Sequence, residues 1–183
     1  TPVRKGFEDY QHSPDMETGE IKVSFRDSGV SFCRRAFASR ADRIAVISLE
    51  SSGEHGLEGI ALRMNIHDPD NACKAFEDKK IPLPTEIEAF SEGSYLYYSA
   101  RYGESMDFGA VARIIAPAEY LCSERDTIQF SGGNHALILI SLFCNSERQE
   151  AFRTAKRCLS ALQGSYSDFL ARHSELHKPL FLS

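Results

Sequence analysis

Carboxylates near strand ends are the first residues in this sequence whose type and placement could support chemistry. Glu86, Glu104 and Asp107 lie beside predicted strands, and two carboxyl groups that flank a sugar can hydrolyse a glycosidic bond. The chain has 26 acidic residues, however, so some carboxylates lie close together by chance. Nothing in the sequence marks a carboxyl group with the raised pKa that a general acid needs. We therefore interpret these residues as solvated surface and predict no catalytic residue in the chain.

Histidines and oxygen-rich segments raise the question of metal binding. His173 and His177 are four residues apart on a predicted helix, but the glutamate of a zinc-hydrolase His-Glu-x-x-His motif is missing. We expect His173 to have a packing or capping role instead. Asp68, Asp70 and Asn71 offer oxygen ligands in a loop, yet the glycine and the last glutamate of an EF-hand are absent, which favours a turn with a helix cap. We predict no metal ion and no other cofactor.

The cysteines show neither a CxxC pair nor zinc-site spacing, and their odd number leaves at least one thiol unpaired within the chain. Three of them lie in or beside apolar runs, where cysteine behaves as a small hydrophobic residue. We expect the cysteines to pack in the core. A single disulfide bridge is the alternative if the protein is secreted. No glycine elbow for a nucleophilic serine or cysteine is present. The five cysteines are Cys33, Cys73, Cys122, Cys144 and Cys158.

A tyrosine cluster is the one feature of the sequence that could contact a sugar directly. Flat aromatic faces stack on sugar rings, and the cluster follows a predicted strand. Tyrosine is also a strong strand former, so alternate tyrosines can equally fill a core or a domain contact. Packing is the favoured interpretation, and sugar stacking stays open. The candidate sugar contacts are Tyr95, Tyr97, Tyr98 and Tyr102.

Composition and charge exclude several classes of protein. The 183 residues are 42% hydrophobic and 26% charged, which is typical of one soluble globular domain. The net charge is −5 and the basic residues are scattered in short pairs, so no nucleic-acid partner is expected. The most apolar segment, residues 136–144, is about half the length that spans a bilayer, and no membrane span is predicted.

The periodicity over residues 1–144 predicts a mainly β fold. Ile21, Val23 and Phe25 alternate with polar residues, a turn at Ser28 and Gly29 follows, and the alternation resumes, which is typical of a hairpin. Further strands are predicted over residues 44–49, 57–66, 86–91, 94–102, 108–116, 119–124, 127–130 and 135–143, with an irregular connection over 67–84. We therefore expect an antiparallel β-sandwich.

Residues 145–183 change to helical spacing. Glu147 is preceded by Asn145 and Ser146, a predicted helix start, and apolar residues recur at helical spacing as far as Gly164. A second helix is predicted from Ser165 or Ser167, and we expect it to end before Pro179 because proline cannot continue the hydrogen-bond ladder. The sequence thus predicts two helices after the sandwich.

An ordered set of short motifs spans both regions. It comprises Asp15, Thr18 and Gly19, then Ile21 and Val23, then Gly29, Val30, Phe32 and Arg34, then Phe37, Ala38 and Ser39, then Asp42, Ile44 and Val46, and finally Arg172, His173, Leu180 and Phe181. This order resembles the N-terminal, supersandwich-like β-sandwich domain of glycoside hydrolase family 95 and its linker helices. The chain departs from the family at Met16, where leucine is usual, and at Leu176 and His177, where the family has aspartate and tyrosine.

The resemblance implies a non-catalytic domain. In the family, the catalytic acid and the activated water lie in a following (α/α)6 barrel, which hydrolyses terminal α-L-fucosyl or α-L-galactosyl linkages with inversion. Residues 1–144 correspond to the sandwich without its first strands, and residues 145–183 to a helical linker. Arg172 and His173 are then the expected docking residues, and the expected partners are the helical catalytic domain and a glycan substrate. A secreted or periplasmic location is also implied, although the chain shows no targeting segment.

Two other interpretations stay open. A self-standing carbohydrate-binding or adhesion module is motivated by the tyrosine cluster, and it predicts glycan binding by the chain alone. A complete small enzyme predicts turnover of an α-L-fucoside without any further domain.

Overall fold

A computed structural model of the chain describes residues 7–53, 55–65, 84–101, 103–104 and 106–181. Four features of the sequence lie outside the described residues: most of the predicted irregular connection, its Asp68, Asp70 and Asn71, the thiol of Cys73, and the ring of Tyr102.

The described residues form a mainly β structure with two helices at its end. In chain order the strands are β1 (Glu8–Asp15), β2 (Glu20–Asp27), β3 (Val30–Ser39), β4 (Ile44–Ser51), β5 (Ala61–Arg63), β6 (Thr85–Glu92), β7 (Tyr95–Arg101), β8 (Asp107–Ile115), β9 (Leu121–Glu124), β10 (Thr127–Phe130) and β11 (His135–Ser146). The helices are α1 (Arg148–Ala161) and α2 (Tyr166–Phe181). The predicted fold class is confirmed.

Eight strands form one antiparallel sheet in the order β1-β2-β3-β4-β11-β8-β7-β6. A smaller antiparallel sheet has the order β5-β10-β9. The hairpin of β2 and β3 forms as the alternation predicts, because Ser28 and Gly29 both adopt positive φ angles, 50° and 83°, as a two-residue type I′ turn requires. Strands β7 and β8 contain the largest share of buried residues in the large sheet, and β4 and β11 add further buried residues beside them.

One strand was not expected from the sequence, and another is much shorter than expected. Strand β1 was not predicted, because it is an edge strand exposed along its whole length and therefore lacks alternation; an edge also tolerates Pro14. The strand predicted over residues 57–66 is only three residues long. Residues 55–59 form a turn in which Gly59 has φ 78°, and the turn buries Leu57 between the two sheets.

Each face of the large sheet is covered by a different layer. The small sheet packs Ile128 and Phe130 against Ala112, Ile114 and Ile138. On the opposite face, α1 and α2 form a second core with the large sheet, to which Phe152, Leu159 and Phe169 contribute from the helices. Burial of these large apolar side chains is the main stabilising contribution to the helical layer.

The helix start is confirmed and one helix end is corrected. The Glu147 carboxylate caps α1 by accepting hydrogen bonds from the backbone N–H groups of Gln149 and Glu150, at 3.0 and 2.8 Å. Helix α2 does not end before Pro179 but continues to Phe181, because in the last turn the proline removes only a terminal hydrogen bond. In the part of the chain that the structure describes, no helix is long and apolar enough to cross a membrane.

Candidate functional site

The contact between α2 and the first hairpins is centred on His173, whose side chain is 2% exposed. Its Nδ1 atom accepts a hydrogen bond from the backbone N–H of Arg40 at 3.1 Å. The proton of a neutral imidazole must then lie on Nε2, which donates to the carbonyl oxygen of Thr18 at 2.9 Å. Both ring nitrogens are therefore bound to backbone groups that lie far from α2 in the sequence.

The surroundings of His173 keep it neutral. Burial lowers the pKa of its imidazole, and the positive charge of Arg40 and the neighbouring His177 lower it further, against an opposing effect of the Thr18 hydrogen bond. The ring also stacks on Phe37, with centroids 5.2 Å apart, and on His177 at 4.9 Å. His173 thus packs against the sandwich, one of the roles expected for it.

Arg172 makes the adjacent contact. Its guanidinium lies 3.1 Å from an Oδ1 of Asp42, in the turn between β3 and β4. The other carboxylate oxygen of Asp42 accepts a hydrogen bond from the Ser39 hydroxyl at 2.8 Å. The short motifs that carry the family resemblance therefore meet in space. Thr18 contacts His173 and Asp42 contacts Arg172, and Ser39 is hydrogen-bonded to Asp42. Docking of a further domain through this pair stays a prediction.

The tyrosines lie in the interior or at its edge. Tyr97 and Tyr98 point to opposite faces of β7 and are only 4% and 6% exposed. Tyr97 stacks on Phe90 at 4.4 Å and meets Phe152 edge-on at 5.3 Å, and burial raises the pKa of its phenol. Tyr95 is half-buried beside it. Because Tyr97 and Tyr98 expose no ring face, this cluster no longer supports the hypothesis of a sugar-binding module.

The candidate carboxylates line a cleft of about 440 Å³ at the start of α1. Asp107 is 1% exposed, and its two oxygens lie 2.8 Å from Nε of Arg101 and 2.9 Å from Nε of Arg148. Arg148 also contacts Glu88 at 3.0 Å, and Arg101 contacts Glu86 at 2.8 Å. Together these side chains form an ion network. Through Arg148 the network binds the first turn of α1 to the large sheet at β6, β7 and β8.

The chemistry of this network differs from that of a glycosidase. Burial by itself raises the pKa of the Asp107 carboxyl, but the hydrogen bonds from Arg101 and Arg148 outweigh it and hold the pKa below its usual value. Asp107 is therefore an ionised and neutralised carboxylate, whereas a general acid must hold a proton. Glu104 is exposed at the rim of the cleft. Asp107 therefore does not suit the role of general acid, and its ion pairs hold the first turn of α1 on the sheet.

The described cysteines form no disulfide bridge with one another. Cys33, Cys122, Cys144 and Cys158 are free thiols, and all but Cys33 are exposed. The exposure of Cys144 and Cys158 corrects the core packing expected from their apolar neighbours, whereas Cys33 is half-buried. The described residues contain no group of three or more histidine, cysteine or acidic side chains that could hold a metal ion.

Sequence reasoning missed the partners rather than the central residues. Asp107 and His173 are among the candidates that the sequence offers, but Arg101, Arg148 and Arg40 are not. The position of Arg148 directly after the capping Glu147 is the one local signal, since a long basic side chain in a first turn of a helix is unfavourable unless an acidic group lies nearby.

The geometry defines a class of protein: an antiparallel β-sandwich whose C-terminal helices pack on the larger sheet. Among solved structures, a protein assigned as a kojibiose phosphorylase from human microbiome has this fold. The match has a TM-score of 0.65 at 12% sequence identity and covers 95% of this chain. The chain spans only 25% of the length of that protein. Comparison with models of known families gives no match, and no curated protein matches either.

This likeness concerns the fold alone, because folds are shared by proteins of different function. It agrees with the β-sandwich and linker helices that the resemblance implies. It is not specific to glycoside hydrolase family 95.

Proposed function

We propose that the chain is a non-catalytic β-sandwich domain of a carbohydrate-active enzyme. The observation that carries the proposal is the fold match to the kojibiose phosphorylase, which covers nearly all of this chain but a quarter of that protein. The motif set that includes Arg172 and His173 supports the narrower proposal of a family 95-like enzyme, which acts on terminal α-L-fucosyl or α-L-galactosyl linkages. The ionised, doubly paired Asp107 supports the non-catalytic role.

In this proposal the domain holds a helical catalytic domain and forms one wall of its substrate cleft. The contacts of His173 with Thr18 and Arg40 fix α2 on the sandwich, so α2 leaves the domain in one defined direction. A rigid connection of this kind keeps two domains at a constant angle, whereas a flexible linker does not. A secreted or periplasmic location belongs to the same proposal, as does the division between residues 1–144 and 145–183.

The test compares this chain with the full product of its gene. Both are assayed with aryl α-L-fucoside, aryl α-L-galactoside, and kojibiose in the presence and absence of inorganic phosphate. We expect turnover by the full product and none by the 183-residue chain, whose folding is checked by circular dichroism. The hydrolytic and phosphorolytic arms decide between the narrower alternatives. Turnover by the chain alone, or a full product that lacks activity on every glycoside, would overturn the proposal.

A further inference from the structure

A second cleft, of about 580 Å³, lies on the helical side of the large sheet, away from the ion network of Asp107. Its walls are Asn134 in the loop before β11, His135 at the start of that strand, the connection between the helices with Ser167 in the first turn of α2, and Tyr120 at the end of the short 3-10 turn Ala118–Tyr120. Buried Tyr166 lies at its base. The volume falls within the range of about 300–1,000 Å³ that is usual for small-molecule sites.

The cleft is nearly neutral. Although the chain has 26 acidic residues, none of the described residues that line this cleft is a carboxylate. The one fixed cation, Arg35, is already compensated: it forms an ion pair with Glu50 and lies over the ring of Tyr166, 4.4 Å from the centroid. A cationic ligand therefore finds no counter-charge in the cleft, and an anionic ligand finds only a guanidinium that is already paired.

One wall of the cleft is a tyrosine ring held in place by backbone. A side-chain carbon at Gly132 or Gly133 would lie 3.0 or 3.1 Å from ring carbons of Tyr120, so the two glycines allow the ring to lie close to the chain. The backbone of Tyr120 is bound on both sides, to Pro117 and to Ser131, each at 3.0 Å. The ring is therefore preorganised, which lowers the entropic cost of binding a ligand.

Exposed polar groups line the same cleft as this ring. Asn134, His135 and Ser167 are exposed and supply amide, imidazole and hydroxyl groups. The backbone carbonyl of Asn134 accepts a hydrogen bond from the N–H of Ser51 at 2.9 Å, which holds the end of the loop at the point where β11 begins with His135. An aromatic wall together with polar donors and acceptors in one cleft matches a ligand with an apolar ring face and many hydroxyl groups.

We propose that this cleft binds an uncharged saccharide, which rests on the proposed function in carbohydrate metabolism. The ligand stacks on Tyr120 and is hydrogen-bonded by Asn134. This site is separate from the Tyr95, Tyr97 and Tyr98 cluster, whose members are buried or half-buried.

The test is a titration of the ¹⁵N-labelled 183-residue chain, followed by amide chemical shifts, with D-glucose, D-galactose and L-fucose in turn. Inorganic phosphate is titrated in a separate arm. We expect at least one sugar to bind at millimolar concentration and to shift the amides of residues 132–135 and 165–167. Phosphate alone shifting these amides, or sugars shifting only amides elsewhere, would overturn the proposal.

Matched variants separate ligand contact from structural damage. Tyr120→Ala and Asn134→Ala should each weaken sugar binding at least tenfold, whereas Tyr120→Phe, which keeps the ring, should change it less than threefold. Glu119→Gln alters an exposed neighbour that does not line the cleft, and it should leave binding unchanged. Equal binding by all four variants would overturn the assignment. If sugars do not bind but the full gene product cleaves a glycoside, this proposal falls while the proposed function stands.

Discussion

His173 donates a hydrogen bond to the carbonyl oxygen of Thr18 at 2.9 Å, across 155 positions of sequence. The contact joins the last helix of the chain to the turn between its first two strands. Because His173 also accepts from the N–H of Arg40, a single imidazole satisfies two backbone groups at a buried surface. The orientation of α2 therefore depends on this ring.

Replacing His173 with alanine should destabilise the fold by about 3 kcal/mol, since the change leaves a cavity and two buried backbone groups without partners. The free energy of unfolding in urea measures the effect. His177→Ala is the matched control, because that ring is only half-buried and its contacts with Arg40 and Met16 are longer, at 3.3 and 3.4 Å. The control should cost less than about 1 kcal/mol. Equal losses would contradict the central role of His173.

Stability should fall in mild acid because of the same residue. The folded-state pKa of His173 is lowered from 6.5, so the unfolded chain binds more protons as pH falls. Its contribution is complete above the unfolded value and is lost as the pH falls through the folded pKa. Urea unfolding between about pH 7.5 and about pH 5 should show this slope in the wild type and a smaller slope in His173→Ala. Identical slopes in the two proteins would show that other groups carry the dependence.

Asp107→Asn should lower stability by about 3 kcal/mol, because the substitution leaves the guanidinium groups of Arg101 and Arg148 without their shared buried carboxylate. Hydrogen exchange should become faster in the first turn of α1, which Arg148 fastens to the sheet. Glu104→Gln is the control, as Glu104 is an exposed residue of the same cleft, and it should change stability by less than about 0.5 kcal/mol. Unchanged exchange in α1 would argue against the fastening role.

Two leucines provide a matched test of the helical layer. Leu159 on α1 is 0% exposed and Leu142 on β11 is 75% exposed. Leu159→Ala should cost about 3 kcal/mol through the lost burial and the cavity it leaves. Leu142→Ala removes the same atoms from the surface and should cost less than about 0.5 kcal/mol. Thermal or urea unfolding compares the two, and a similar cost for both would mean that α1 does not pack as described.

Local features of the fold were predictable because their causes are local. The alternation of Ile21, Val23 and Phe25 and the turn at Ser28 and Gly29 predict the hairpin, since strand facing and turn type depend on neighbouring residues. Asn145 and Ser146 before Glu147 indicate the start of α1 for the same reason, although the side chain that caps the helix is that of Glu147. The edge strand β1 escaped prediction because a strand with both faces exposed needs no hydrophobic period.

The candidate sites were less predictable. Tyr97 and Tyr98 alternate in the sequence in the way a solvent-exposed binding strand also would, and only the layers on both faces of β7 bury them. In the sequence nothing distinguishes Asp107 from the other acidic residues, and its partner Arg148 is 41 positions away. Tyr120 and Asn134 carry no motif, and their proximity depends on the packing of loops.

The sequence by itself determined most of the elements, through strand periodicity, tight turns and helix spacing, because these depend on backbone geometry within a few residues. Only the tertiary structure decided which side chains are buried, which charges neutralise each other, and that His173 meets Thr18. Those outcomes depend on the free energy of packing segments that are far apart in the chain, and no local pattern records which segment will lie against which.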